Sequence, residues 1–212
     1  MIVKGHPGPA SRKGKEDSGS DHLLDLAVAI HDSSLVERAS RFAAAAHGGP
    51  GRGEKEFSHP AAVADLVASR GLGEEVVAAA LLHDTVEDTA LTLEEIEASF
   101  GKDIAGLVAG VTEDARIHSY PARKAEARRR MMGDRRTAAI YAADKVASVR
   151  ALLVDGRPIQ GERLDHFART LRLLSEGRPD LPFLAELAVA MATLIERSDR
   201  RSGTARCPRS DR

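Results

Sequence analysis

Tryptophan is missing from this chain of 212 residues, and aromatic residues make up only 3% of it. Sheet cores draw heavily on aromatic and β-branched side chains, so this scarcity, beside abundant Ala, Leu and Val, points to helices packed through small side chains. Cysteine occurs once, as Cys207 in a polar C-terminal stretch, which excludes an intrachain disulfide and a thiolate metal cluster and fits a reducing compartment. Net charge is nearly absent: 31 basic residues stand against 32 acidic ones, leaving no global field to draw in a nucleic acid or an anionic membrane. Any anionic ligand must therefore meet local charge. No apolar run approaches a bilayer span, and the N-terminus lacks an apolar region behind a basic start. These absences together predict a soluble, cytoplasmic, all-α protein that engages neither nucleic acid nor membrane.

The length suits one domain with tails. Residues 1–20 are rich in Gly, Ser, Lys and Asp with no apolar period, which predicts a disordered tail. One helical domain is expected over 21–197, followed by a polar tail over 198–212. Within it, the apolar spacing predicts helices at 22–30 and 35–46, then a Gly-rich charged loop from Gly48 to Ser58. Pro60 is expected in the first turn of the next helix, where its missing N–H has no intrahelical partner. Residues 74–84 form an almost wholly apolar helix, as one buried on most sides would be. Thr92 with Glu95 is a capping box opening Leu93 to Phe100, with Gly101 as its stop. Further helices are expected at 103–111, 134–153, 158–175 and 181–197.

Against this apolar background, three short strings carry ionisable groups. They are His59-Pro60, the run His83-Asp84-Thr85-Val86-Glu87-Asp88-Thr89, and Asp144 within Ala143-Asp144-Lys145. Two imidazoles and two carboxylates could close around one divalent ion, and a mixed His and Asp set favours a transition metal over Mg²⁺ or Ca²⁺. His83 and Asp84 are adjacent and diverge by ~100° on a regular helix, so both reach one ion most easily at a helix end. The bland alternative is a helix-terminal His beside a turn-forming Asp. An Asp inside an Ala- and Val-rich helix tips the balance, because an unpaired charge there would cost several kcal/mol. Glu87 and Asp88 stand four residues beyond His83 and Asp84, where a carboxylate could orient or deprotonate a metal-bound water, or else form a solvated acidic turn. Eight Lys or Arg residues between Arg116 and Arg136 could hold phosphates or form a solvated helix face. Arg52 is a second candidate for a nucleotide, and His47 reads first as a helix C-terminal residue.

These strings, with Phe100-Gly101 and Leu107-Val108-Ala109-Gly110-Val111-Thr112, resemble the HD-domain hydrolases of the RelA/SpoT-type alarmone enzymes and their stand-alone small hydrolases, over about residues 35–155. The resemblance implies an all-helical HD fold and manganese-dependent removal of the 3′-pyrophosphate from ppGpp or pppGpp. By position it implies His59, His83, Asp84 and Asp144 as metal ligands, Glu87 and Asp88 as the groups that position or activate water, and Arg52 as the arginine against the guanine. The loop from His47 to His59 is two or three residues shorter than the family usually has, and the usual aromatic before the His-Pro pair is represented by Phe57. Ser148, four residues after Asp144, stands where the family normally carries an Asn that contacts the nucleotide, and keeps a shorter hydrogen-bonding group. About sixty residues follow Leu153, too few for a synthetase domain, so a hydrolase-only member is expected. Two alternatives stay open: an HD phosphohydrolase of another phosphorylated nucleotide or cofactor, and a non-catalytic module that binds the alarmone.

Overall fold

Residues 34–48, 55–156, 159 and 161–204 are described by the structure, a computed structural model. The expected N-terminal tail, the helix at 22–30, Arg52 and Cys207 lie outside the described residues. Among the described residues there are α-helices and no strands: α1 (Ser34–His47), α2 (Lys55–Ala68), α3 (Glu74–Leu82), the single turn α4 (Thr85–Asp88), α5 (Leu93–Phe100), α6 (Lys102–Val111), α7 (Tyr120–Met131), α8 (Arg135–Asp155), α9 (Gly161–Gly177) and α10 (Leu184–Thr204). None of them is long and apolar enough to cross a membrane.

The apolar run of α3 explains its place. Every residue from Val76 to Leu82 is buried, because α1, α2, α6 and α8 all pack around it. Full burial of Leu81 and Leu82 makes each worth about 2–5 kcal/mol against truncation to Ala. The second central helix, α8, is buried from Thr137 through Ala143 and again at Lys145 to Ala147, and touches α2, α3, α6, α7, α9 and α10. Its alanines permit close approach. Where α6 crosses it, a Cβ added to Gly110 would lie 2.6 Å from Thr137 Cγ2, so that position has room for hydrogen only.

Chain reversals follow local chemistry. The Thr92 side chain accepts from the Glu95 N–H while the Glu95 carboxylate accepts from the Thr92 N–H, completing the expected capping box. Gly101, at φ 86°, ends α5 and opens α6 in a conformation that disfavours any Cβ. Three elements differ from expectation. Pro60 lies inside α2 rather than in its first turn, since that helix begins at Lys55. The basic stretch contains a helix of its own, α7. The last helix continues to Thr204, past the expected end at 197, because its polar residues pair along the helix, Arg200 with Glu196 among them.

Candidate metal centre

Two helix ends and the interiors of two further helices deliver the candidate ligands. His59 comes from α2, His83 is the residue after α3, Asp84 precedes the turn α4, and Asp144 sits midway along α8. The break in helical regularity between α3 and α4 lets the adjacent His83 and Asp84 converge, with His83 Nε2 2.9 Å from Asp84 Oδ1. His59 Nε2 lies 3.1 Å from Asp144 Oδ1 and 3.8 Å from Asp84 Oδ2. Ligand atoms of His59, His83 and Asp144 all lie within 4.8 Å of one another, a span that one ion with bonds of ~2.1 Å closes with small side-chain movement.

The donor chemistry fits a cation. His83 is buried, and its Nδ1 donates to the carbonyl of Ala80 at 2.8 Å, which turns the Nε2 lone pair toward the carboxylates. That nitrogen makes no well-aligned hydrogen bond, although Asp84 Oδ1 stands 2.9 Å from it. An acceptor nitrogen facing acceptor oxygens needs either a proton or a metal ion between them. Without an ion the proton answers: burial pulls the imidazole down, but Asp84 and Asp144 outweigh it and push His83 up to about 9. Burial opposes the charge of Asp144 too, yet Lys145 and His59 hold its carboxyl well below the usual range. Lys145 is itself buried, with Nζ on Asp144 Oδ2 and 4.4 Å from the Tyr141 ring centroid. The Ser148 hydroxyl donates to Asp144 Oδ1 at 3.2 Å, so Ser148 is turned to a candidate ligand while still lining the cavity.

Beside the cluster opens a cavity of about 350 Å³, lined among others by Glu87, Glu113, Tyr120, Lys124 and Arg163. Glu87 Oε1 accepts from the Glu113 N–H at 2.7 Å. Glu87 is exposed as a residue, but loss of water around its carboxyl at the cavity wall pushes it up to about 7, against the pull of that hydrogen bond. Asp88, one residue on, is exposed and outside the lining, since consecutive helical residues point ~100° apart. His47 is buried at the end of α1 and is not among the clustered ligands.

Most of the basic run is engaged locally. Arg116 binds Asp114, Arg129 binds Glu126, Arg135 binds Asp180, and Arg136 spans Asp103 and Asp134. Arg130 donates to the carbonyls of Ala109 and Thr112, Arg123 pairs with Glu113, and Arg128 donates to His166 Nδ1 at 2.7 Å. Of the eight, Lys124 alone lines the cavity beside the metal cluster. Lys145, Glu113, Tyr141 and His166 also line the cavity and are not among the sequence candidates. Lys145 had a local signal, standing next to Asp144, while the other three come to the cavity only through packing.

Residues 39–169 match the HD domain family. A probable GTP pyrophosphokinase of Mycobacterium leprae is 35% identical over 156 residues, covering 68% of this chain and 20% of that protein. The guanosine-3′,5′-bis(diphosphate) 3′-pyrophosphohydrolase of Aquifex aeolicus is 39% identical over 56% of this chain and 18% of its own length. This chain thus spans about a fifth of these long relatives. A shorter guanosine-3′,5′-bis(diphosphate) 3′-pyrophosphohydrolase, of Xenopus tropicalis, is 34% identical, covering 57% of this chain and 71% of that protein. Among solved structures, a metazoan ortholog of SpoT described as hydrolysing ppGpp superposes with a TM-score of 0.60 at 27% identity, over 80% of this chain and 96% of the other. The protein lmo0812 of Listeria monocytogenes gives 0.61 at 30% identity, over 68% and 98%. This chain belongs to the HD-domain family, on the branch that includes the RelA/SpoT-type alarmone hydrolases.

Proposed function

We propose that the chain is a metal-dependent phosphohydrolase that removes the 3′-pyrophosphate of guanosine 3′,5′-bis(diphosphate), giving GDP and pyrophosphate, and GTP from the pentaphosphate. One observation carries the reading: the buried Nε2 of His83 converges with His59 and with the carboxylates of Asp84 and Asp144 at the wall of a cavity that also holds Glu87 and Lys124. The named activities of the similar proteins supply the substrate.

His59, His83, Asp84 and Asp144 would hold the ion, for which manganese suits mixed imidazole and carboxylate donors. When bound, a divalent metal lowers the pKa of water and offsets charge on phosphoryl oxygens. Glu87, held by the Glu113 N–H, is placed to accept a proton from the attacking water. Lys124 and Arg163 supply positive charge on the cavity wall for the leaving pyrophosphate. Asp88 has no direct part in this reading, because it does not line the cavity. The Ser148 hydroxyl, which donates to Asp144, keeps its oxygen to accept one hydrogen bond from the nucleotide. Arg52 remains the proposed partner of the guanine.

The test is hydrolysis of ppGpp by the full chain with Mn²⁺, following GDP and pyrophosphate, beside Asp84→Ala. Release of both products that vanishes in the variant supports the reading. Manganese binding without release would move the substrate to another phosphorylated nucleotide.

A further inference from the structure

Glu113 ties three neighbours together at the cavity wall. Its main-chain N–H holds Glu87, while its carboxylate accepts from Arg123 Nε at 2.8 Å through one oxygen and from Lys124 Nζ through the other. Only 12% of the Glu113 side chain and 18% of that of Lys124 is exposed, so water screens this pair poorly. Lys124 is thus the cavity-facing cation of its helix, and it is already neutralised from within the protein.

We propose that Glu113 is a displaceable counter-ion that sets the affinity of the cavity for phosphate: it occupies Lys124 until a polyphosphate takes its place. Three features make the exchange feasible. Removing one partner from a buried ion pair is costly when the other charge is left alone. Here Arg123 stays on the second oxygen, so Glu113 is not left unpaired when Lys124 turns away. Lysine carries its charge on a flexible stem with rotatable donors, and can swing between acceptors that a rigid guanidinium fork could not exchange. The hydrogen bond to Glu87 comes from the main chain, so it survives the exchange and keeps Glu87 in place. The two roles of Glu113 therefore sit on different atoms, and a side-chain substitution separates them.

The inference rests on the phosphohydrolase reading for its ligand class, but its test does not require turnover. Calorimetry of inorganic pyrophosphate with the manganese-loaded full chain is measured for wild type, Glu113→Gln, Lys124→Met and the double variant. Glu113→Gln keeps the size and removes the competing charge, so pyrophosphate binds about three- to tenfold tighter, a gain of the size expected for loss of one partly buried ion pair. Lys124→Met binds at least about tenfold more weakly than wild type, and adding Glu113→Gln to it changes nothing. Where Glu113→Gln does not fold, Glu113→Asp shortens the reach to Lys124 and gives a smaller gain of the same sign, again absent on the Lys124→Met background. A merely structural Glu113 gives the opposite sign, weaker binding on substitution. Equal or weaker binding in Glu113→Gln, a gain that persists without Lys124, or no pyrophosphate binding by any of the proteins overturns the proposal. Failure of the wild type to hydrolyse ppGpp would overturn the substrate assignment alone.

Discussion

His59 Nε2 and Asp144 Oδ1 stand 3.1 Å apart although 85 residues separate them in the chain. The contact fastens α2 to α8 on one side of the central helix α3, whose own end supplies His83. Packing of three helices and assembly of the candidate metal site are therefore one event.

Metal binding should accordingly stabilise the fold. At about 100 times its Kd, manganese is expected to add about 2.7 kcal/mol to unfolding, provided the ion does not bind the unfolded chain. Asp144→Asn removes one ligand charge with little change in shape, and its thermal midpoint is expected to stay unmoved by manganese. Thermal unfolding of both proteins with manganese and with chelator checks this, and an equal rise in the variant would place the ion elsewhere.

Lys145 grips the other oxygen of the same carboxylate. Lys145→Met should leave the Asp144 carboxylate with only His59 and Ser148 beside it, and cost up to about 3 kcal/mol in metal-free protein. A divalent ion should recover part of that loss, because it restores positive charge beside Asp144. Urea unfolding of wild type and variant, each with and without manganese, gives the comparison. A loss that manganese leaves untouched would mean that Lys145 acts through packing on Tyr141 instead.

Glu87 provides the pH dependence. Its carboxyl is raised from 4.5 to about 7 in the folded protein, and only the ionised form can accept a proton. In the metal-free protein the ionised fraction grows as pH rises through about 7, and kcat/KM of the manganese-loaded enzyme is expected to rise with the same group. A bound cation favours the carboxylate and moves this acid limb lower. The stability sign is opposite: a folded pKa above the unfolded one gives a contribution complete below 4.5 and lost as pH rises through about 7. Glu87→Gln should lower the rate roughly 10²- to 10⁴-fold and erase this limb. A pH–rate profile of the variant that kept both rate and limb would remove Glu87 from the reaction.

The seven buried residues of α3 were legible because a helix apolar on every side must be enclosed. The capping box and Gly101 were legible because caps are local chemistry. Pro60 was misplaced by a turn because the start of α2 depends on the chain before it, where no strong cap is written. Both readings of the basic run are settled only in three dimensions: its arginines find acceptors on α6, on α7, on α9 at His166 and in the loops that follow α6, α7 and α9, and Lys124 reaches the cavity because α7 packs against α6.

What the sequence by itself determined is the helical class and the set of chemical groups, since both rest on residue types and short spacings: small apolar side chains at helical periods, and His59, His83, Asp84 and Asp144 set in otherwise apolar surroundings. Tertiary structure alone decided which of two neighbouring carboxylates faces the cavity, that Ser148 and Lys145 take hold of Asp144 from opposite oxygens, and that Glu113 joins Glu87 to Lys124. The reason is that hydrogen bonds act over about 3 Å, whereas the residues they join lie on separate helices whose relative placement is fixed by packing across the whole core.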